Sequence, residues 1–154
     1  MLELLAPAGN LDAVIAAVQN GADAVYMGFG DGFNARRSAD NFTRESFAKA
    51  VRYCHIRGCK VYVTLNTLVG DREMDAAAAL AQQASDAGAD AILVQDLGLA
   101  RVLRAALPDI PLHASTQMSI HNLAGVEAAA EMGITRAVLA RELSLAEVAA
   151  CRAA

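Results

Sequence analysis

The stretch NGADAVYMG, residues 20–28, returns in nearly the same letters as AGADAILVQ at residues 87–95. In both copies a helical pattern ends at a glycine suited to the left-handed residue that closes helices, and a short apolar run follows at once. MGITRAVL at residues 132–139 keeps this order, and residues 57–65 and 107–115 keep it with other letters. The pattern predicts a helix that leads directly into a buried strand at five places along the chain.

Together with the apolar start of the chain, these junctions predict six strands, each followed by a helix. The strands are expected near residues 2–6, 23–28, 60–65, 91–95, 111–115 and 136–140, and the helices near 10–20, 43–57, 71–87, 97–106, 122–132 and 144–152. Asn10, Thr43 and Ser144 stand at expected helix N-caps, and Glu147 gives Ser144 the spacing of a capping box. Doubly apolar strands that alternate with helices pair in parallel, so the predicted fold class is α/β.

Units of about 25 to 30 residues suit a (β/α) TIM-like barrel, which needs eight units and roughly 250 residues. The 154 residues hold six units, so we predict one partial barrel domain over residues 1–154. A doubly wound sheet is the alternative, but APAGN at residues 6–10 is not the glycine-rich turn of its nucleotide-binding version. An open barrel exposes strand edges, and we therefore expect a homo-oligomer or a missing C-terminal barrel half.

Composition and charge narrow the classes of function. Aromatic residues make up 5% of the chain and tryptophan is absent from it, so base-stacking platforms are not expected. The net charge of −4 disfavours bulk attraction to nucleic acid or anionic membranes, although it is compatible with a local basic pocket. No apolar run is long enough for a membrane helix and the first residues do not resemble a secretory signal, so we expect a cytoplasmic protein without a membrane partner.

The cysteines do not predict a metal site. Cys54, Cys59 and Cys151 are odd in number, and the first two lack the spacing of a zinc-binding pair. We interpret them as ordinary thiols.

Polar side chains follow each predicted strand at its carboxyl end, the face on which (β/α) barrels carry their sites. Arginine suits a carboxylate or phosphate, and side-chain amides suit orientation of a ligand by hydrogen bonds. The carboxylates could form a general acid–base pair or bind a metal, and a serine could act as a nucleophile with His113 or His121 as its base. The residues predicted to bind substrate are Asn10, Asn34, Arg36, Asn66, Gln95, Gln117, His121 and Arg141, and the candidate catalytic residues are Asp96, Glu142 and Ser115.

Structural roles compete with these chemical ones. Asp96 stands where it would cap the helix that begins at Leu97, and Arg141 and Glu142 could pair with each other. His113 within a strand is more typical of a residue that fills a barrel layer. A triad also needs an acid to orient its histidine, and the sequence does not place one. The catalytic residues therefore stay open at this point.

Several of these segments resemble one known family. LAPAGN at residues 5–10, GADAVY at 21–26 with FNAR at 33–36, and VYVTLNTL at 61–68 are similar to the collagenase-like U32 peptidase family. So are VQDLG at 94–98, HASTQMSIHN at 113–122 and LARELS at 139–144. The resemblance covers nearly the whole chain and implies a TIM-like barrel.

The resemblance implies first a collagenase-like peptidase of unknown catalytic type, of which this chain would be the N-terminal barrel part. The alternative that it implies is a non-proteolytic factor for hydroxylation of transfer RNA, ribosomal RNA or ubiquinone. A truncated, inactive interaction module is a third expectation. The substrate is then a peptide or is linked to RNA. The family's cysteine signature has no counterpart here, so no cofactor is evident in the chain, and an iron–sulfur cluster is expected only in a longer product.

Overall fold

The computed structural model describes residues 2–35 and 41–153. Six strands alternate with six helices, as the repeated junctions predict, and a short 3₁₀ helix, Thr116–Met118, follows the fifth strand. The strands are β1 (Leu5–Pro7), β2 (Ala24–Met27), β3 (Lys60–Leu65), β4 (Ala91–Val94), β5 (Leu112–Ala114) and β6 (Ile134–Ala137). The helices are α1 (Leu11–Gln19), α2 (Arg44–His55), α3 (Met74–Asp86), α4 (Leu97–Ala106), α5 (Leu123–Glu131) and α6 (Leu145–Ala153).

The six strands form one sheet in the order β1-β2-β3-β4-β5-β6, and every neighbouring pair is parallel. A doubly wound sheet reverses its strand order at a switch point, whereas a barrel keeps the order of the chain. The sheet is also curled: its two edge strands come close enough for Glu3, just before β1, to form an ion pair with Arg136 on β6. The prediction of an incomplete α/β barrel with parallel strands is therefore confirmed.

Side chains alternate between the two faces of the curled sheet, as the pleat of a strand requires. Val25, Val63 and Ile92 belong to the large apolar core that the strands share with the helices. Tyr62 and Leu93 face the other way and belong to a small cluster inside the curl. The outer face thus carries most of the hydrophobic core, and the inner face is left for a site.

The ends of the sheet differ by a few residues from the prediction. β1 is Leu5–Pro7 rather than residues 2–6, because its first pair joins Leu5 to Ala24 at the start of β2. β6 is Ile134–Ala137 rather than residues 136–140, because pairing with β5 begins directly after the left-handed Gly133. In both cases the neighbouring strand determines where pairing begins.

The predicted helix caps are present. The Asn10 side chain accepts a hydrogen bond from the Ala13 N–H at 2.8 Å, and Thr43 caps α2 in the same way. Ser144 and Glu147 form a capping box, in which the Ser144 N–H donates to Glu147 Oε2 at 2.7 Å. These contacts satisfy backbone donors that the first turn of a helix otherwise leaves open.

No helix in the described ranges has both the length and the apolar character that a membrane crossing needs. Cys54 and Cys59 are buried in the core between the helices and the sheet, and Cys151 is half-buried in α6. Burial raises the pKa of the Cys54 thiol to about 12.

Candidate functional site

A cavity of about 790 Å³ opens at the carboxyl ends of the strands, inside the curl of the sheet. Four neighbouring strands each contribute one residue to its lining, namely Leu5, Tyr26, Thr64 and Leu93, and Ser115 joins them from the position directly after β5. The volume lies within the range of pockets that bind small molecules. The site therefore occupies the face on which barrels of this class carry their chemistry.

The structure brings some of the predicted site residues together and leaves others apart. Those that line the cavity are Asn66, Ser115, Gln117, His121, Arg141 and Glu142. Ser115 is buried and Asn66 is half-buried, whereas the other four are exposed at the mouth. Arg36 lies outside the described residues.

Three other candidates are engaged elsewhere. Asn10 caps α1, and Asn34 donates a hydrogen bond from Nδ2 to Asn41 Oδ1 at 3.0 Å. Asp96 caps α4, since its Oδ1 accepts the N–H of Leu99 at 2.8 Å. Gln95 follows β4 directly and is half-buried, but it is not among the residues that line the cavity.

The two candidate carboxylates, Asp96 and Glu142, have different surroundings. The Asp96 carboxylate accepts backbone hydrogen bonds on both oxygens, the second from Val69 at 3.5 Å. Glu142 is exposed at the cavity mouth, and no ion pair joins it to Arg141, both residues being described. Asp96 therefore has a structural contact that accounts for its position, whereas Glu142 and Arg141 remain available at the mouth.

Ser115 is held by two hydrogen-bond donors at the centre of the site. Asn66, directly after β3, donates from Nδ2 to Ser115 Oγ at 3.2 Å, and the Gln117 N–H donates to the same oxygen at 3.3 Å. Asn66 Oδ1 in turn accepts the N–H of Ala35 at 3.1 Å. This chain of hydrogen bonds ties the ends of β3 and β5 to the loop after β2.

Neither candidate histidine is bonded to Ser115. His113 lies deeper on the inner face, where its ring meets Tyr62 edge-on with centroids 4.9 Å apart, and burial lowers its pKa to about 4. His121 bonds through Nδ1 to the Ser119 carbonyl at 2.9 Å. Within residues 2–35 and 41–153, no Ser–His hydrogen bond is present.

A charged cluster below the cavity was not foreseen from the sequence. Tyr62 donates its hydroxyl to Glu3 at 3.0 Å, and Arg136 forms an ion pair with the same carboxylate. The hydrogen bond from Arg136 holds the pKa of Glu3 below its usual range, and burial raises the pKa of Tyr62 to about 12. The available signal was Arg136 inside a short strand, because a charge within a barrel requires a partner.

The described part of the chain does not bring together three His, Cys, Asp or Glu side chains that could hold a metal ion. Cys54 and Cys59 lie in the core and Cys151 lies on α6, so these three thiols do not make a set of cluster ligands.

Comparison with known proteins gives two kinds of relative. The chain is 42% identical over 149 residues to the 23S rRNA 5-hydroxycytidine C2501 synthase of Escherichia coli (strain K12). The aligned residues make up 97% of this chain and 22% of that protein. It is 35% identical over 147 residues to the collagenase of Porphyromonas gingivalis (strain ATCC BAA-308 / W83). The aligned residues make up 95% of this chain and 34% of that protein. The chain thus spans about a fifth to a third of the length of these two relatives.

A solved structure shares the fold. The U32 peptidase Mk0906 matches with a TM-score of 0.80 at 18% identity, over 99% of this chain and 65% of that one. The sequence model of Peptidase family U32 matches residues 9–154. Since that match covers nearly all of the barrel units described above, the chain belongs to peptidase family U32.

Proposed function

We propose that this chain is the substrate-binding barrel part of a protein that hydroxylates a pyrimidine base of RNA. The hydrogen bonding of Ser115 is the observation that favours this function over that of a peptidase. Its Oγ accepts two hydrogen bonds, whereas a serine nucleophile needs a base that takes its proton. The similarity to the 5-hydroxycytidine synthase, which extends over 97% of the chain, supports the same choice.

The dimensions and polarity of the cavity agree with a single base as the ligand. Enzymes that modify a base take it out of the stack and place it in a pocket. The cavity of about 790 Å³ has hydroxyl and amide groups in its depth, which suit the polar edge of a base. Arg141, exposed at the mouth, is suited to a phosphate group.

The net charge of −4 does not attract RNA as a whole. Contacts to the RNA backbone would therefore come from local cations such as Arg141 and from further parts of a longer protein. That longer protein, or a second copy of the chain, would also complete the barrel. An iron–sulfur cluster in the longer protein would take its ligands from residues beyond this chain, and a cytoplasmic location is part of the same proposal.

The test uses the full-length protein in a strain from which its gene has been deleted. Ribosomal and transfer RNA are digested to nucleosides, and 5-hydroxycytidine and 5-hydroxyuridine are measured by mass spectrometry. We expect the wild type to restore the lost nucleoside and Asn66→Ala to fail. Asn20→Ala is the matched control, because Asn20 lies at the end of α1, where it bonds to the Ala16 carbonyl at 2.8 Å.

The second candidate is a peptidase, favoured by the similarity to the collagenase of Porphyromonas gingivalis. Denatured collagen is incubated with the same purified proteins, and released peptides are measured. Cleavage that Asn66→Ala abolishes, together with unchanged RNA nucleosides after gene deletion, would favour the peptidase and contradict the proposal.

A further inference from the structure

We infer that the Ser115 hydroxyl donates a hydrogen bond to a ring carbonyl oxygen of a pyrimidine base in the cavity, and that Asn66 positions this hydroxyl. The inference takes the class of ligand from the proposed function. The hydrogen bonds around Ser115 supply the rest.

The orientation of the Asn66 amide is determined by its neighbour. The backbone N–H of Ala35 lies 3.1 Å from Asn66 Oδ1, and only the oxygen end of an amide accepts a hydrogen bond. The Nδ2 end must therefore face Ser115 Oγ, 3.2 Å away. Because Nδ2 carries only donors, the serine oxygen is the acceptor in this contact.

The hydrogen-bonding capacity of Ser115 is then almost used up. A hydroxyl has two lone pairs and one proton, and the lone pairs receive Asn66 Nδ2–H and the Gln117 N–H. The proton remains, and no acceptor for it is found among the residues that the structure describes. Ser115 is only 4% exposed and lines the cavity, so this proton is the group that the cavity offers to a ligand.

Hydrogen bonds received by the oxygen strengthen the O–H as a donor. The arrangement therefore favours an acceptor on the ligand, such as a carbonyl oxygen. It disfavours attack by the serine oxygen, whose lone pairs are both engaged.

The surroundings of Ser115 favour a neutral acceptor. Leu5 and Leu93 are apolar walls, and the Thr64 hydroxyl is already donated to the Met27 carbonyl at 3.1 Å. A carboxylate or phosphate oxygen would lose its hydration here in exchange for few donors, which is costly. A ring carbonyl loses far less, and the apolar walls suit a flat ring, whereas Arg141 at the mouth suits the phosphate.

The test compares oxygen with sulfur at one ligand atom. Uridine 5′-monophosphate, 2-thiouridine 5′-monophosphate and 4-thiouridine 5′-monophosphate are titrated into the full-length wild-type protein by calorimetry. Sulfur is a poor acceptor, so we expect one of the two substitutions to weaken binding about fivefold, the size of one net hydrogen bond. Ser115→Ala should bind uridine 5′-monophosphate about fivefold more weakly and no longer distinguish oxygen from sulfur.

Ser85→Ala, the same chemical change on α3, should keep the wild-type discrimination. Ser115→Ala leaves the Asn66 amide without its acceptor. Ser115→Cys is therefore a second variant, because a thiol has a similar size to the hydroxyl but is only a weak hydrogen-bond donor. The wild-type comparison needs no variant at all.

The inference is overturned if the wild type binds the three nucleotides equally, if it binds none of them, or if Ser115→Ala still discriminates. The RNA nucleoside measurement separates this failure from that of the proposed function. Intact hydroxylation with no discrimination rejects the hydrogen bond alone, whereas unchanged nucleosides after gene deletion reject the function.

Discussion

His113 is buried on the inner face of the sheet, edge-on to Tyr62 and next to Arg136 of the neighbouring strand. Burial lowers its pKa to about 4, against about 6.5 for an unfolded histidine. Between these two pH values the unfolded chain binds a proton that the folded protein does not. The free energy of unfolding must therefore decrease as the pH falls through this window.

We expect a change from pH 7 to pH 5 to lower the free energy of unfolding by about 2 kcal/mol through His113. His113→Phe should remove this part of the pH dependence, as measured by urea unfolding at both pH values. Glu3, whose pKa is held low by Arg136, is present in both proteins, so its own pH dependence cancels when the variant is compared with the wild type. The same pH dependence in the variant and in the wild type would contradict the assignment.

Two substitutions of Asp96 distinguish a structural role of its carboxylate from a chemical one. Serine is as good an N-cap as aspartate but has no carboxylate, so Asp96→Ser should keep the melting temperature and, under the proposed function, the hydroxylated nucleosides of RNA. Asp96→Ala should lose about 1 kcal/mol of stability because the Leu99 N–H loses its acceptor. Loss of hydroxylated nucleosides in a stable Asp96→Ser protein would instead place the carboxylate in the reaction.

The junction of α5 with β6 depends on contacts between elements. Gly133 has a φ of 78°, and its carbonyl accepts a hydrogen bond from Arg104 Nη1 of α4 at 3.3 Å. Arg104 Nη2 also donates to three carbonyls after α4, those of Leu107, Pro108 and Ile110. The arginine therefore joins the end of α4 to the start of β6 and cannot move aside freely.

A methyl group at residue 133 would lie 2.6 Å from Arg104 Cδ, whereas one at Gly58 would meet no atom within 4 Å. Both glycines have a left-handed φ, so Gly58→Ala shows the backbone cost alone, about 1 kcal/mol. Gly133→Ala should lose roughly 1 to 2 kcal/mol more in thermal unfolding, because the insertion also displaces a held side chain. Equal losses in the two variants would show that Arg104 yields without cost.

The curl of the whole sheet is held by a contact between its two edges. Arg136 on β6 pairs with Glu3 before β1, and Tyr62 on β3 donates to the same carboxylate from between them. The low pKa of Glu3 means that this contact stabilises the fold at neutral pH and that the stabilisation is lost as the pH falls through that pKa. The cavity lies between the same edges, so the contact also supports the shape of the site.

A double-mutant cycle with Glu3→Gln and Arg136→Met should give a coupling of about 1 kcal/mol in urea unfolding, since the pair is only partly shielded from water. The exposed pair of Lys49 and Glu45, 2.7 Å apart on α2, is the control and should show no measurable coupling. Additive losses for Glu3 and Arg136 would mean that the edges are held together by other contacts.

The amino-acid sequence by itself determined the order of strands and helices, the helix caps and the face that carries the site. These features depend on residues within a few positions of one another: a glycine closes a helix, an apolar run forms a strand, and Asn10 or Ser144 reaches the next turn. Because parallel strands place their carboxyl ends together, the positions of Asn66 and Ser115 at the same end of the sheet also followed from the order of elements.

Only the tertiary structure decided which partner each polar side chain has. Asn66 reaches Ser115 across 49 residues and Arg136 reaches Glu3 across 133, distances in sequence that the curl and register of six strands bring to hydrogen-bond range. Asp96 shows the same limit. An aspartate at this position could be a catalytic acid or a helix cap, and only the direction of its side chain distinguishes the two roles. Periodicity carries no information on such directions, because they depend on the summed geometry of the whole sheet.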